Sequence, residues 1–224
     1  MPSFAAATRG AAKIRNHEAS FDAKVAIRQN VLDAIGADEA RVFEAYAGAG
    51  EMHRAVWHRA SSCVGCDLEW FSGSRLAFVA DNRRVLRTID LGRFNIFDLD
   101  AFGSPWEQAI IVAARRRVAA GERIGMVLTD GSGLTLKQGG LPLALAELAG
   151  LSQRLTGVAR WQEKVIDRAL TGLMRRMRCR IDERWQASGK TGAAMRYIGL
   201  VISGAEALGG DSDNRAADSV AGRA

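Results

Sequence analysis

At 224 residues, with 48% hydrophobic and 25% charged residues, the chain has the composition of an ordinary globular protein and the length of one α/β domain that can bury a core. No apolar run approaches the ~18 residues a membrane-spanning helix needs. The three cysteines (Cys63, Cys66, Cys179) exclude a disulfide-dense scaffold and suit a reducing cytoplasm. The formal charge of +6 is about +8 over residues 1–202 against −2 over residues 203–224, a balance that favours a polyanionic partner such as nucleic acid through phosphate contacts and counterion release.

In chain order, residues 1–20 are poor in large apolar groups, carry no acid before Glu18 and lack the apolar centre of a secretory signal, so we read them as a flexible basic arm. "FDAKVAIRQNVLDAIG" (21–36) spaces Val25, Ile27, Val31, Leu32 and Ile35 as on a helix and stops at Gly36. "RVFEAY" (41–46) reads as a first strand and "MHRAVWHRA" as a helix with His53 and His58 solvated. "SSCVGCDLE" (61–69), "RLAFVADN" (75–82) and "FNIFDLD" (94–100) follow as the second, third and fourth strands. Ser104, Pro105 and Glu107 form a capping box with Pro at the first helical position, opening a helix that runs to Gly121 and ends in a solvated Arg115-Arg116-Arg117. "RIGMVLTD" (123–130) is a fifth strand and "GSGLTLKQGGLP" a glycine-rich loop, after which helical pattern resumes at Leu141 and over 157–178. "CRIDERWQA" and "AAMRYIGLVIS" read as a terminal hairpin, and the tail from Gly204 as disordered. A single domain over residues 21–203 is expected, an α/β, Rossmann-like doubly wound and mostly parallel sheet with a C-terminal antiparallel hairpin.

In such a sheet the ligand sits beyond the carboxyl ends of the strands. Glu44 and the loop Ala47-Gly48-Ala49-Gly50 lie at the end of the first strand, where glycines let the backbone approach a ligand closely. Asp67, with Leu68 beside it and Glu69 as a substitute, ends the second strand, where an acid accepts hydrogen bonds from ribose hydroxyls. Asp81 and Asn82 end the third, placed to take an adenine amino group. Three polar strand ends in succession outline an adenosine-shaped cleft.

Together with the closing hairpin, these residues resemble the class I S-adenosylmethionine-dependent methyltransferases. That resemblance implies the sheet order 3-2-1-4-5-7-6 and S-adenosylmethionine as cofactor. The block "DLDAFGSP" (98–105), followed one helix later by "GMVLTDGSGL", is more narrowly similar to the tRNA N2-guanine dimethyltransferase family, with its D-x-D-P-F-G-S-P sequence and T-D-T-like turn. The likeness covers roughly residues 40–140. Ala101 stands where that family has proline, and no second, tRNA-holding domain is expected after residue 203.

An exocyclic amine on a base is a poor nucleophile because its lone pair is delocalised into the ring. A carboxylate that accepts its N–H localises that pair, and an adjacent aromatic can stack the base. Asp100 is the candidate acceptor and Phe102 the candidate stacking face, with Gly103, Ser104, Pro105, Trp106, Thr129 and Asp130 on the substrate side. We expect Asp98 and Asp100 on opposite sides of the strand, Asp98 bracing the loop or the cofactor. Trp106 is equally compatible with stacking a base and filling core. Cys63-x-x-Cys66 has no second ligand pair, so no metal site is expected. Arg175, Arg176, Arg178, Arg180 and Arg184 with Trp185 are candidate phosphate contacts. The expected function is S-adenosylmethionine-dependent methylation of an exocyclic amine of a nucleobase, guanine N2 in RNA first. The alternatives are a DNA base amino-methyltransferase and a non-catalytic subunit that binds S-adenosylmethionine or nucleic acid.

Overall fold

The structure, a computed structural model, describes residues 18–69, 75–154, 161–189 and 194–205. Most of the N-terminal arm, nearly all of the C-terminal tail and part of the hairpin turn lie outside these residues. The strands are β1 (Arg41–Glu44), β2 (Ser62–Asp67), β3 (Ala77–Val79), β4 (Ile96–Leu99), β5 (Arg123–Asp130), β6 (Cys179–Ser188) and β7 (Arg196–Gly204). They form one sheet in the order β3-β2-β1-β4-β5-β7-β6. The pairings from β3 across to β5 are parallel, while β7 runs antiparallel to both β5 and β6. The expected order and the terminal hairpin are both present.

Alternation along the buried strands divides the core into two layers, because successive side chains leave a strand on opposite faces. Val42, Ile96 and Val127 face α1 (Glu18–Ile35) and α2 (Glu51–Ala55). Phe43, Phe97, Met126 and Leu128 face α3 (Asn82–Thr88), α4 (Trp106–Arg115), α6 (Leu143–Ala149) and α7 (Gln162–Met177). Burying both faces explains why these strands read as apolar runs rather than as alternation.

Helix α1 lies close on the sheet over two glycines. A Cβ on Gly125 of β5 would come 2.6 Å from Val31 Cγ1, and one on Gly199 of β7 would come 3.0 Å from Ile27 Cγ2 and Val31 Cγ2. This close seat brings the next buried-face positions of α1, Lys24 and Arg28, against the ends of the strands.

Four local expectations are corrected. A helix, α3, joins β3 to β4; its pattern was hidden because "NRRVLRT" has only two apolar positions, Val85 and Leu86, both buried. Helix α4 begins at Trp106 with no side-chain cap, so Ser104 forms no capping box; Glu107 instead pairs with Arg83 and Arg87. The same helix ends at Arg115, well before Gly121; Arg116 is buried and ion-paired to Glu122, and Arg115 donates to the Leu86 and Ile89 carbonyls. The glycine-rich loop after β5 contains a short helix, α5 (Gly133–Lys137).

Candidate cofactor and substrate site

The sheet order reverses between β1 and β4, and their carboxyl ends open the crevice where open α/β sheets take ligands. Glu44 and Asp98 are register partners on these two strands. Beyond Glu44 the chain turns through Gly48 and Gly50 at φ +45° and +80°, left-handed values that favour glycine. The turn is tied to β2 by Gly48 N–H, which donates to Asp67 Oδ2 at 2.7 Å, while Asp67 Oδ1 accepts from Glu69 N at 3.1 Å. Leu68 beside it is 74% exposed. Asp81 caps α3 by accepting from Arg83 N at 2.9 Å, and the Arg83 side chain on the same carboxylate holds its pKa down at about 2. Asn82 donates to Ala45 O at 2.9 Å and accepts from Gln108, fastening α3 to the end of β1.

Glu44 is buried, and its Oε2 has no hydrogen-bond partner. Burial pushes its pKa up to about 8; the neighbouring Asp98 adds to this, and Arg28 and Arg75 oppose it. The nearest cation, Arg75 Nη1, is 3.7 Å away, an ion pair beyond hydrogen-bond reach. Arg75 spends its donors on the loop instead, on Gly48 O at 2.9 Å and Ala47 O at 3.5 Å. An acceptor-rich pocket with an orphaned carboxylate oxygen, a glycine turn, an acid at the end of β2 and an exposed apolar side chain next to it fit an adenosine carrying a cationic amino-acid end.

On the other side of the crevice Asp98 of β4 and Asp100 just past its end correct the expectation that they diverge. Residues two apart in a strand share a face, and both carboxylates meet Arg28. Arg28 Nε and Nη2 grip Asp98 at 2.7 and 2.8 Å, and Nη2 lies 3.1 Å from Asp100 Oδ2. Trp57 Nε1 adds a third bond to Asp98 at 2.8 Å. Asp98 is fully buried, so it braces β4 and is not open to a cofactor. Burial raises the Asp98 pKa against the pull of Arg28.

Asp100 keeps a small exposed margin and is also held by Lys24 Nζ at 2.9 Å. Burial alone would raise its pKa, but Arg28, Lys24 and the Thr129 hydroxyl together outweigh that and lower it, keeping the carboxylate ionised. Phe102, two residues on, is 97% exposed. Gly103, at φ +118°, accepts from Gly131 N at 2.5 Å, which pins the 101–105 loop to the exit of β5. Ser104 is half-buried and Pro105 buried within that loop.

Three expected substrate residues belong to the core. Trp106 is fully buried with its indole N–H donated to Asp130 Oδ1 at 2.9 Å. Asp130 is buried beneath Ser132 Oγ (2.6 Å) and Gln162 Nε2 (3.2 Å), and Thr129 is buried beside it.

Three arginines of the 175–184 cluster have acidic partners of their own. Since β6 runs parallel to β1–β5, its first residue lies at the edge of the sheet opposite Glu44, Asp67 and Asp100, and the end of α7 with it. Arg176 pairs with Glu147, Arg180 with Asp182 and Arg184 with Asp167, all at the surface. The cysteines are free thiols, and no group of metal-ligating residues occurs among the described residues. His58 is exposed, but Trp57 between the histidines is wholly buried on Asp98.

Lys24, Arg28, Trp57 and Arg75 were missed from the sequence. One signal was available: Lys24, Ile27, Arg28 and Val31 fall on a single helical stripe, and charge within an apolar stripe implies a buried partner. Arg75 had no such signal, because its role depends on the glycine turn folding back to it.

No protein-family model and no curated protein sequence matches the chain. Solved structures do. Trm1 from Pyrococcus horikoshii, in complex with S-adenosyl-L-methionine, superposes with a TM-score of 0.52 at 16% identity, over 83% of this chain and 55% of that one. The chain therefore spans about half the length of that protein. The N-methyltransferase NodS from Bradyrhizobium japonicum, in complex with S-adenosyl-L-homocysteine, matches with a TM-score of 0.51 at 11% identity, over 86% of this chain and 90% of that one. TYW2 from M. jannaschii, in complex with AdoMet, gives 0.50 at 8% identity, over 85% and 78%. No described helix is long and apolar enough to cross a membrane. The chain has the Rossmann-like methyltransferase fold, with seven strands and β7 reversed.

Proposed function

We propose that the chain is an S-adenosylmethionine-dependent methyltransferase acting on an exocyclic amine of a nucleobase, with guanine N2 in RNA as the first substrate. The observation that carries this reading is the pairing of an ionised Asp100 with a fully exposed Phe102, across the sheet's switch point from the Glu44–glycine turn. The likeness in fold to methyltransferases solved with S-adenosylmethionine or its demethylated product supports it.

When bound, S-adenosylmethionine supplies an electrophilic methyl group. Glu44, Ala47, Gly48 and Gly50 would hold its amino-acid end, Asp67 and Leu68 the ribose and one face of the adenine, and Asp81 the adenine edge, with Asn82 fixing the turn beside it. Phe102 stacks the target base, a contact worth about 1–3 kcal/mol. Asp100 accepts the amine N–H and turns the nitrogen lone pair toward the cofactor side of the crevice. Lys24 and Arg28 keep Asp100 ionised, so it is an acceptor throughout the neutral range and a weak base. It therefore takes up the proton only once the methylated nitrogen carries positive charge. The basic balance of residues 1–202 attracts a nucleic-acid substrate, and a base within a duplex must first be flipped out.

Incubation with methyl-labelled S-adenosylmethionine and total RNA or DNA tests the reading. Label in RNA nucleosides is the expected result. Label confined to DNA moves the substrate to DNA bases, and no transfer to either removes nucleic acid from the proposal.

A further inference from the structure

We infer that Arg75 is a cofactor-binding residue that holds the carboxylate of the amino-acid end, and that in the free chain its guanidinium occupies the seat of the cofactor's ammonium. This rests on the cofactor reading above and goes beyond it by assigning a residue that neither the β-strand ends nor the glycine turn supplies.

The groups around the glycine turn are acceptors: Glu44 Oε2, which is buried without a hydrogen bond, and the carbonyls of Ala47 and Gly48. A zwitterionic amino acid brings an ammonium that suits all of them and a carboxylate that suits none. The other buried cations nearby are committed, Arg28 to Asp98 and Asp100 and Lys24 to Asp100. Arg75 is different: its hydrogen bonds go to two neutral carbonyls, and its one acid, Glu44, stands 3.7 Å off.

Its guanidinium also fills the space in the turn. A Cβ on Gly50 would come 2.6 Å from Arg75 Cζ, 2.7 Å from Nε and 2.9 Å from Nη1. Two cations cannot share that seat. An arriving ammonium takes over the carbonyls and the orphaned Glu44 oxygen. The displaced guanidinium gains a carboxylate partner, and a bidentate charge-assisted pair is stronger than its bonds to neutral carbonyls. Each group then exchanges a poor partner for a better one, and with Glu44 ionised against the ammonium no buried charge is left unpaired.

The test is calorimetry on the full chain with three probes: S-adenosylhomocysteine, its decarboxylated analogue, and 5′-methylthioadenosine, which lacks the amino-acid end. The wild type is expected to prefer S-adenosylhomocysteine over the decarboxylated analogue by about 10–100-fold, the range for a hydrogen-bonded charge. Arg75→Met should abolish that preference while binding 5′-methylthioadenosine as the wild type does. Arg75→Lys should restore part of it, since lysine keeps the charge without the fork. If Arg75→Met keeps the preference, or binds S-adenosylhomocysteine more tightly, the guanidinium only blocks the seat and the carboxylate assignment is overturned. Equal loss of all three probes in Arg75→Met would make the residue merely structural and also overturn it. A wild type that binds none of the probes overturns the cofactor reading itself, and this inference with it.

Discussion

Arg28 of α1 joins Asp98 of β4 and Asp100 just beyond it with one guanidinium: 2.7 and 2.8 Å to the oxygens of Asp98, and 3.1 Å to Asp100. One acid is thereby consumed by the fold and the other is left ionised at the mouth of the crevice. Both are acids of the same strand face, and their difference in role comes from depth, since Asp98 has Trp57 over it and Asp100 has a margin of solvent.

Removing Arg28 leaves Asp98 as a buried charge without a counter-ion. Arg28→Met should destabilise the chain by about 3–5 kcal/mol, the usual cost of breaking a buried pair from one side. Adding Asp98→Asn should recover part of the loss. Urea denaturation of the single and double variants measures both, and a single variant within 1 kcal/mol of the wild type would mean that the pair contributes no more than a surface ion pair does.

Glu44 gives the chain a pH dependence of definite sign. Its pKa is raised from an ordinary 4.5 to about 8 on folding, so the folded state binds a proton that the unfolded state releases between those values. Its contribution to stability is complete at low pH and is lost as pH rises through about 8. The slope is at most about 1.4 kcal/mol per pH unit. Urea midpoints compared at pH 5 and pH 8 should fall more steeply for the wild type than for Glu44→Gln. Parallel slopes would show that Glu44 is ionised when folded.

Phe102 is fully exposed, so Phe102→Ala should leave the thermal midpoint unchanged while weakening substrate binding by about 1–3 kcal/mol. A KM effect with little change in kcat is the expected kinetic form. A fall in thermal stability would instead place the ring in the packing of the loop.

Gly125 sets the height of α1 over the sheet. In Gly125→Ala the new methyl meets Val31 Cγ1 at 2.6 Å and Ile96 Cγ1 at 3.2 Å, both branched and enclosed. Overpacking of this kind costs about 1–3 kcal/mol. Because Lys24 and Arg28 ride on the same helix, turnover should drop as well, and Asp100 should lose its tight hold. Stability and activity equal to wild type would show that α1 can lift without disturbing the acids.

The sequence carried the layer structure well, because fully buried parallel strands are short apolar runs and their polar ends stand out: Glu44, Asp67, Asp81 and Asp100 were all readable as strand-end acids. What it could not show was competition among them. Asp98 and Asp130 look as available as Asp100 in one dimension, and only the long-range partners Arg28, Trp57, Trp106 and Gln162 reveal which carboxylates are spent. The face of Asp98 relative to Asp100 was decidable from the two-residue period of a strand alone. The arginine run at 175–184 looked like a binding patch because charge clusters along a chain; the sheet starts β6 at the edge away from the strand-end acids, and Arg176 and Arg184 pair with Glu147 and Asp167 of the neighbouring helices while Arg180 pairs with Asp182 of its own strand.

The central claim is that Asp100 directs methyl transfer to a base amine, and nucleoside mass spectrometry tests it most directly. The full chain and its Asp100→Ala variant are each given S-adenosylmethionine with a deuterated methyl group and total RNA, and the digested nucleosides are analysed in single-turnover time courses. The account predicts a deuterated N-methyl nucleoside, N2-methylguanosine first, formed about 10²–10⁴ times more slowly by Asp100→Ala. Label in no nucleoside, or equal rates for the two proteins, would contradict it.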